Sequence, residues 1–364
     1  MTTVAVLGAG AGGSAAAVEL TQAGHRVRLW NRTAATLEPF RAAGGVAHEG
    51  VLGDGLVPVP LQPDLARALD GADVALVCLP AIAHGALAEA LAAAGELPPV
   101  VLNPGHTGGA LHVEAVLTGG GVSPPPLAEL STLTYVARKP DGHRVLVTGR
   151  AGRVRGACLP GGEAALALAQ ELYPAVMPQR DVLATGLANV NLVLHPPAAV
   201  LAAAWVEATF GDFRFYADAT TPAVARTIEA LDAERLAVAA AFGHALDPLL
   251  AEMAAIGTVS GPDAASGDLR AAIANGEANR RIRAPHSLQH RYYTEDFRYG
   301  LLPLVELAGV AGVQVPLARA LLQVADTFCG GVVAGGLTLE RLGIAALDRD
   351  GLLARVGAGV PGAL

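Results

Sequence analysis

Residues 3–14 read TVAVLGAGAGGS, and they predict the fold of the first half of the chain. A short apolar strand runs into three glycines that form the pattern G-x-G-x-x-G: Gly8, Gly10 and Gly13. A small-residue helix over residues 14–24 and a second strand over 27–30 complete a predicted β-α-β unit. In that setting the glycines permit a tight turn, close approach of a pyrophosphate to backbone amides and close helix packing. The stretch predicts a dinucleotide site; the alternative is a glycine turn without a ligand.

The same alternation of strands and helices continues to about residue 180. Further apolar strand candidates lie at residues 74–79, 100–102, 132–136 and 145–147, and an alanine-rich helix is predicted over 85–94. Short continuous apolar strands that alternate with helices are typical of a parallel, doubly wound sheet covered on both faces. We therefore predict a dinucleotide-binding Rossmann domain over residues 1–180.

The second half has helical spacing instead of strand-like runs. Helices are predicted over residues 182–207, 222–242, 248–256, 299–307 and 316–328. Thr221 before Pro222 and Asp247 before Pro248 place a capping side chain ahead of proline at the first helical position. The sequence predicts an α/β fold in which an all-helical domain, residues 181–364, follows the Rossmann domain.

Composition excludes several classes of function. The chain has 364 residues, of which 52% are hydrophobic and 16% charged, and a formal net charge of −8. A folded, acidic protein of this kind is a poor match for nucleic acid or an anionic membrane, and its basic run at 280–283 is short. The longest apolar stretch, residues 74–88, contains Pro80, His84 and Gly85 and is too short for a spanning helix. We expect no nucleic-acid or membrane partner.

The cysteines predict a reducing compartment and no metal. Cys78, Cys158 and Cys329 are widely separated, and none stands in a spacing typical of metal ligands. They are interpreted as buried thiols. The amino terminus lacks a charged segment followed by an apolar one, so we predict a cytoplasmic protein.

The end of the second strand bears on cofactor choice. Sites that prefer NAD usually place Asp or Glu there, but this chain has Asn31, Arg32 and Thr33. Without a competing carboxylate these side chains can hold a 2′-phosphate, which predicts NADP(H) as the preferred cofactor with NAD(H) possible. The alternative is that Arg32 stacks on adenine in an enzyme that uses NAD. The predicted cofactor contacts are completed by Pro80, Asn103 and Gly105.

The scarcity of lysine limits which side chain can act as the general acid in a nicotinamide-dependent enzyme. Lys139 is the one lysine among 25 Lys and Arg residues, and the helical half has none. Dehydrogenases built from an α/β and a helical domain often use a lysine of the helical half. The composition therefore argues against the active sites of 6-phosphogluconate, glycerol-3-phosphate and ketopantoate dehydrogenases and favours histidine.

Four motifs carry a resemblance to a known family. They are NPGHTGGAL at 103–111, NVNLVLHPP at 189–197, FYADATTPAVAR at 215–226 and RYYTEDFRYGL at 291–301. Together with the glycine turn and LERLG at 339–343, they closely resemble the opine dehydrogenases, the octopine and nopaline dehydrogenase family. The resemblance implies a helical second domain like that of 6-phosphogluconate dehydrogenase, and we expect a homodimer.

The resemblance implies an NAD(P)H-dependent reductive condensation. An amino acid or amine adds to a 2-oxo acid, and hydride reduces the imine. In the family, residues that match His195 and Asp296 form a catalytic dyad, in which a carboxylate on one ring nitrogen fixes the tautomer and supports the protonated ring. Without the resemblance, His195 before two prolines is better explained as a helix-kink residue and Asp296 as a helix N-cap.

Two further residues match substrate contacts of the family. Arg291 matches an arginine that meets a substrate carboxylate, although an ion pair to Glu295 is the alternative. Glu129 matches a glutamate near the amino-donor pocket. The chain departs from some relatives at His106, where they have Arg, and at His112, where Glu is frequent, so substrate scope can differ.

Two other functions remain open from the sequence. One is an imine or 2-oxo acid reductase that acts on a single substrate, and the other is a noncatalytic NADP(H)-binding sensor. Because the predicted cofactor residues precede residue 180 while His195, Arg291 and Asp296 follow it, we expect the two halves to converge on the substrate. Metal ligands are not expected.

Overall fold

The structure is a computed structural model that describes residues 1–276 and 279–357. The strands, in chain order, are β1 Thr3–Leu7, β2 Arg26–Trp30, β3 Val46–Gly50, β4 Gly55–Val57, β5 Leu61–Gln62, β6 Val74–Val77, β7 Val100–Leu102, β8 Leu127–Leu130, β9 Tyr135–Arg138, β10 Arg144–Arg150, β11 Val154–Cys158 and β12 Val176–Pro178. The helices of the first half are α1 Ala11–Gln22, α2 Glu38–Ala43, α3 Leu65–Leu69, α4 His84–Ala92, α5 Gly109–Gly119 and α6 Glu163–Leu172.

The described part of the second half contains twelve further α-helices. They are α7 Val182–Leu187, α8 Asn191–Leu201, α9 Ala203–Thr209, α10 Phe215–Ala219, α11 Pro222–Ala241, α12 Leu249–Ile256, α13 Gly261–Ala265, α14 Leu269–Asn275, α15 Arg291–Thr294, α16 Leu302–Ala311, α17 Pro316–Phe328 and α18 Arg349–Val356. A π-helix, Phe297–Leu301, precedes α16. Among the described residues after 182, the only β structure is an isolated bridge between Arg214 and Arg283.

Two compact units divide the chain. The first contains Met1–Gly105 and Gly109–Val182, and the second contains His106–Gly108 and Leu183–Arg355, while Val356 returns to the first. Residues 358–364, the end of the predicted helical domain, lie outside the described residues. The glycine turn therefore belongs to one unit, whereas His195 and Asp296 belong to the other.

The apolar run before the glycine turn is an inner strand of an eight-stranded sheet in the first unit. The strand order is β12-β11-β8-β7-β6-β1-β2-β5. All neighbours are parallel except β8 and β11, which are antiparallel. Strands β1 and β6 are buried along their whole length, as expected for a sheet with both faces covered. The architecture confirms the predicted α/β class with a helical second half.

A second, smaller sheet of the first unit corrects part of the strand prediction. Its order is β4-β3-β10-β9, with β3 and β10 parallel and the other pairs antiparallel. The predicted run at 145–147 forms part of β10 here and not in the parallel sheet, and the run at 132–136 is replaced by β8 and β9 with a bend between them. Strands β3 and β10 alternate buried and less buried residues, which is typical of a sheet with one covered face.

Helix prediction in the second unit is correct in kind but not in every boundary. Helix α17 begins and ends as predicted, and Thr221 caps α11, its Oγ1 accepting the Val224 N–H at 3.3 Å. The single helix predicted over 182–207 is three helices, because the chain leaves helical geometry near residues 188–190 and again at Ala202. Helix α12 begins at Leu249, so Pro248 is not its first residue as predicted, and the Leu249 N–H donates to Asp232 Oδ2 at 2.7 Å.

A buried ion pair fixes the helices around α11. The Arg235 Nε atom donates to Asp232 Oδ1 at 2.7 Å. Its two terminal nitrogens donate to the carbonyls of Leu187, at the end of α7, and of Asp247, at 2.9 and 2.8 Å. Arg235 is only 2% exposed, so these acceptors replace the water that its charge loses on burial.

No single described helix is long and apolar enough to cross a membrane. One bent pair, Val182–Leu201 and Ala203–Thr209, meets the length and composition criteria together, with an angle of 61° between its parts.

Candidate active site

His195 and Asp296 form a buried hydrogen-bonded pair in the second unit. Nδ1 of His195, on α8, lies 2.7 Å from Oδ2 of Asp296, which directly precedes the π-helix. The two residues are only 5% and 3% exposed. An ionised carboxylate only accepts hydrogen bonds, so Nδ1 must carry the proton that points to Asp296. The arrangement fixes one tautomer of the neutral ring and compensates the charge of the protonated ring.

The other ring nitrogen of His195 meets a tyrosine. Nε2 lies 2.7 Å from the hydroxyl oxygen of Tyr216, on α10. With Nδ1 protonated, a neutral His195 accepts this bond at Nε2 and Tyr216 donates it. The Tyr216 hydroxyl lies 3.2 Å from that of Tyr292, on α15. The polar chain therefore runs from Asp296 through His195 to two tyrosine hydroxyls.

Aromatic side chains surround the His195 ring. The ring centroid of Tyr292 lies 4.3 Å from that of His195, and those of Tyr216 and Phe215 lie at 5.9 and 6.3 Å. The sequence analysis did not name these three aromatic residues as part of the site, although each lies within one of the four motifs. Such surroundings exclude water from the ring and strengthen its hydrogen bonds.

Local packing explains how Asp296 reaches α8. A Cβ atom on Gly300, inside the π-helix, would lie 3.1 Å from the Cβ of Leu192 on α8, so the glycine permits a close approach of the two elements. The Tyr293 hydroxyl also donates to the carbonyl of Ala199, on α8, at 3.2 Å. Single π-helical turns within helices occur frequently at functional sites.

Glu295, beside Asp296 in the chain, joins a second polar cluster. Its carboxylate is 1% exposed and lies 3.2 Å from both Nε2 of His106 and Nε of Arg291. The ion pair considered for Arg291 is therefore present. Burial opposes the charge of the Arg291 guanidinium, but the neighbouring Glu295, Asp296, Tyr292 and Tyr216 together raise its pKa. The Arg291 side chain remains 55% exposed, which leaves donors for another carboxylate.

The loop with the departure at position 106 belongs to this cluster. His106 has left-handed backbone geometry, with φ of 59°, and is 3% exposed. Burial lowers the pKa of the His106 imidazole, although Glu295 and Asp296 oppose this effect. The next residue, Thr107, donates through its hydroxyl to the carbonyl of Gly186 at 3.0 Å. His112 lies in the first unit, where its ring faces Gly85.

The glycine turn fits a dinucleotide. A Cβ atom on Gly13 would lie 1.7 Å from the carbonyl oxygen of Gly8, so no larger residue fits between the turn and α1. Gly8 itself has φ of 120°. A Cβ atom on Gly10, the residue that caps α1, would meet nothing within 4 Å. Open space at the N-terminus of a helix, beside its first backbone N–H groups, is where a pyrophosphate binds in such folds.

The other predicted cofactor loops follow neighbouring parallel strands. The turn after β1, residues 31–33 after β2, Pro80 shortly after β6 and Asn103 after β7 lie at one edge of the sheet. Asn31 accepts the Ala9 N–H through Oδ1 at 3.1 Å and donates to the carbonyl of Thr33 at 3.2 Å. Arg32 is exposed, and it has no ion pair with any described residue.

Three predicted site residues order the loop after β7. The Asn103 side chain donates to the Thr134 hydroxyl at 2.9 Å and accepts the Thr134 N–H at 3.1 Å. Glu129 is completely buried, and its Oε2 accepts the N–H of Ala110 at 2.8 Å. Gly105 packs against Glu129, since a Cβ at Gly105 would lie 2.5 Å from the Glu129 Cβ. These contacts account for the burial of Asn103 and Glu129 within the first unit.

Each unit therefore contains a candidate site of its own. The first unit contains a turn and strand edge suited to a dinucleotide. The second contains the buried pair of His195 and Asp296 and the half-exposed Arg291. In the described part of the chain, no group of three or more His, Cys, Asp or Glu side chains is placed to hold a metal ion. The combination defines the class of nicotinamide-dependent oxidoreductases.

Comparison with known proteins identifies the family. Residues 178–329 match NAD/NADP octopine/nopaline dehydrogenase, alpha-helical domain, and residues 4–102 match ketopantoate reductase PanE/ApbA. Opine dehydrogenase of Arthrobacter sp. (strain 1C) is 34% identical over 361 residues, which cover 97% of this chain and 98% of that protein. The chain belongs to the opine dehydrogenase family and is an NAD(P)-dependent oxidoreductase.

Solved structures support the same fold. Octopine dehydrogenase in complex with NADH and agmatine has a TM-score of 0.76, 21% identity, and coverage of 97% of this chain and 98% of that chain. The same enzyme with NADH and pyruvate has a TM-score of 0.69 and 22% identity over 94% and 96% of the two chains. Yersinopine dehydrogenase with NADP⁺ bound has a TM-score of 0.74 and 19% identity over 94% and 97%. At these identities the likeness shows the fold alone.

Proposed function

We propose that this protein reductively condenses an amino acid or amine with a 2-oxo acid, using NADPH in preference to NADH. The observation that carries the proposal is the buried pair of His195 and Asp296, whose ring nitrogen and carboxylate oxygen lie 2.7 Å apart. The pair occurs in a chain 34% identical to an opine dehydrogenase over nearly its whole length.

The glycine turn and the loops at the same sheet edge are proposed to hold the cofactor. The fit is supported by the open space at Gly10 and by the close contact of Gly13 with Gly8. When bound, the nicotinamide supplies the hydride that reduces the imine. The preference for NADPH is supported by the exposed, unpaired Arg32 and by the absence of a carboxylate at residues 31–33.

His195 is proposed to exchange the proton that the condensation requires. Formation of the imine from a carbinolamine expels water, so the leaving oxygen must be protonated, and a positioned imidazole performs this role. Asp296 stabilises the protonated ring and holds its orientation. Nε2 already bonds the Tyr216 hydroxyl at 2.7 Å. We therefore propose either that the proton passes through this hydroxyl, or that substrate displaces the hydroxyl from Nε2 when it binds.

Arg291 is proposed to bind the carboxylate of the 2-oxo acid. Its guanidinium is half exposed, and Glu295 and Asp296 keep it charged while Glu295 fixes one edge. A second edge with two N–H donors matches a carboxylate. The structures of octopine dehydrogenase with agmatine and with pyruvate support an amine and a 2-oxo acid as the substrate classes. The predicted contact of Glu129 with the amino donor stays a prediction.

The cytoplasmic location and homodimer also remain predictions from the sequence. The three cysteines include two buried ones, and burial raises the pKa of the Cys158 thiol to about 11, which keeps it protonated and unreactive.

Omission assays test the function. Purified protein is mixed with NADPH, pyruvate and one of a panel that includes arginine, agmatine and small apolar amino acids, and each component is left out in turn. The proposal expects oxidation of NADPH only when both substrates are present, and a product whose mass equals that of the reduced condensate. Oxidation with one substrate supports the single-substrate reductase, and binding without oxidation supports the noncatalytic sensor. Either result contradicts the proposal.

A further inference from the structure

The only lysine of the chain lies on the glycine turn. Lys139 follows β9, the edge strand of the smaller sheet in the first unit. Its Nζ donates to the carbonyl oxygen of Ala9 at 3.0 Å and lies 4.1 Å from the centre of the Phe40 ring, over the ring face. Ala9 is the residue between Gly8 and Gly10. The smaller sheet therefore places the charged Lys139 side chain against the glycine turn, which the sequence predicts to bind a dinucleotide.

The charge of Lys139 has no carboxylate partner among the described residues. The nearest candidate in sequence, Asp141, lies 3.4 Å from both His143 and Arg144 and accepts their backbone N–H groups. Burial lowers the pKa of the Lys139 amine, and Asp141 opposes this only at longer range. The Lys139 ammonium has three N–H donors, and one of them bonds the Ala9 carbonyl. A bound anion would accept from the remaining donors and compensate the half-buried charge.

The surroundings of Ala9 indicate which anion fits. Its N–H is held by Asn31 at the end of β2, and the next residue, Gly10, begins α1 beside open space. Arg32 follows Asn31 and is exposed. The ammonium thus bonds the residue that directly precedes Gly10 and that Asn31 ties to the end of β2. Dinucleotide folds bind the pyrophosphate at the glycine turn and the adenosine ribose at the end of the second strand.

We propose that Lys139 is a phosphate ligand of the bound dinucleotide, supplied by the smaller sheet. The inference rests on the proposed use of a nicotinamide dinucleotide and adds a residue that no part of the glycine motif contains. Two phosphate groups are within its chemistry: the pyrophosphate, which NADH and NADPH share, and the 2′-phosphate, which only NADPH has. The test distinguishes them.

The experiment measures dissociation constants of NADPH and NADH by fluorescence, without substrates. The variants are Lys139→Met, which keeps the apolar stem over Phe40 and removes the charge, and Lys139→Arg, which keeps the charge. Arg138→Gln is the matched control, because Arg138 is an exposed neighbouring cation on β9 whose one hydrogen bond to a described residue is to the Ala137 carbonyl. Loss of a charge-assisted hydrogen bond to phosphate is expected to weaken binding roughly ten- to a hundredfold in Lys139→Met.

Each outcome decides the proposal. Equal weakening for both nucleotides assigns Lys139 to the pyrophosphate, and weakening for NADPH alone assigns it to the 2′-phosphate. In both cases Lys139→Arg should recover much of the affinity, Arg138→Gln should leave it unchanged, and high salt should reduce the difference from wild type. Unchanged affinity in a folded Lys139→Met protein, or equal weakening by Arg138→Gln, overturns the proposal. So does weakening that Lys139→Arg does not relieve.

A second measurement uses the wild-type protein and needs no variant to fold. Acetylation of lysine by an amine-selective reagent can occur only at Lys139, and its rate is followed by peptide mass spectrometry. Saturating NADPH should slow the reaction several-fold, and an unchanged rate contradicts the contact. Protein that binds a dinucleotide but condenses no substrates contradicts the proposed function, while the affinities still decide the role of Lys139.

Discussion

Replacing the two members of the dyad, singly and together, is the most direct test of the proposed chemistry. His195→Ala removes the ring that bonds Asp296 on one side and Tyr216 on the other, each at 2.7 Å. Loss of a positioned acid or base is expected to lower kcat/KM roughly 10²- to 10⁴-fold. Since the glycine turn belongs to the other unit, NADPH affinity should stay nearly unchanged.

The effect of Asp296→Asn follows from the bond that it changes. A buried hydrogen bond to a charged group contributes about 1.5–3 kcal/mol, so its loss should lower kcat/KM roughly 10- to 150-fold. Asparagine has nearly the same size but no charge, and its amide can select the wrong tautomer of His195. Because Asp296 is proposed to act through His195, replacing the aspartate should have little further effect on kcat/KM once the histidine has been removed.

The double variant is therefore expected to resemble His195→Ala. The coupling free energy between the two sites should equal most of the Asp296→Asn effect, about 1.5–3 kcal/mol. Steady-state kinetics with NADPH, pyruvate and the best amine measures it, with circular dichroism to confirm folding. His286→Ala is a control, because among the residues that the structure describes this exposed histidine of the same unit bonds the Phe210 carbonyl and no other group. Losses that multiply in the double variant would refute the dyad as one catalytic unit.

Three other outcomes are expected. Tyr216→Phe should lower kcat roughly 10²-fold with KM nearly unchanged if the hydroxyl transfers the proton, whereas a loss below about fivefold matches one neutral hydrogen bond and contradicts this role. Asp232→Ala leaves the buried Arg235 charge without its carboxylate and should lower the free energy of unfolding by about 3–5 kcal/mol in urea titrations; an effect below 1 kcal/mol contradicts the buried pair. Because burial lowers the pKa of His106 from 6.5 in the folded state, its contribution to stability is complete above that pH and is lost as pH falls through the folded-state pKa. His106→Asn, which suits left-handed geometry, should flatten the fall in melting temperature between pH 6.5 and 5, and an unchanged slope contradicts the assignment.

The parts of the fold that the sequence predicted are those with a strong local pattern. The glycine turn, β1 and the regular helix α17 each depend on residues that are neighbours in the chain. Strand β4 was missed because it has only three residues, and β3 was missed because three of its five residues are not buried, so that it lacks a continuous apolar run. Helices α7, α8 and α9 were predicted as one helix. Apolar residues continue across both breaks, so the hydrophobic pattern gives no sign of where each helix ends.

In the candidate site, too, contacts between residues far apart in the chain could not be predicted from local patterns. His195 and Asp296 are separated by 101 positions in sequence, and the resemblance to a family rather than any local pattern paired them. Tyr216 was missed because a tyrosine on a buried helix face is usually interpreted as core, and only the structure shows its hydroxyl on Nε2. Lys139 was noted for its rarity, but its contact with Ala9 crosses 130 positions and depends on the smaller sheet that was not predicted.

One short segment organises the two polar clusters described around Glu295 and Asp296. Glu295 and Asp296 are consecutive, yet the first lies against His106 and Arg291 and the second against His195. Consecutive residues of a helical turn point about 100° apart, so adjacent carboxylates serve different partners without competing. The close approach at Gly300 holds this turn on α8, which fixes the direction of both side chains. A change that shifts the turn should therefore weaken together the two activities proposed for this unit, the binding of the 2-oxo acid by Arg291 and proton exchange by His195.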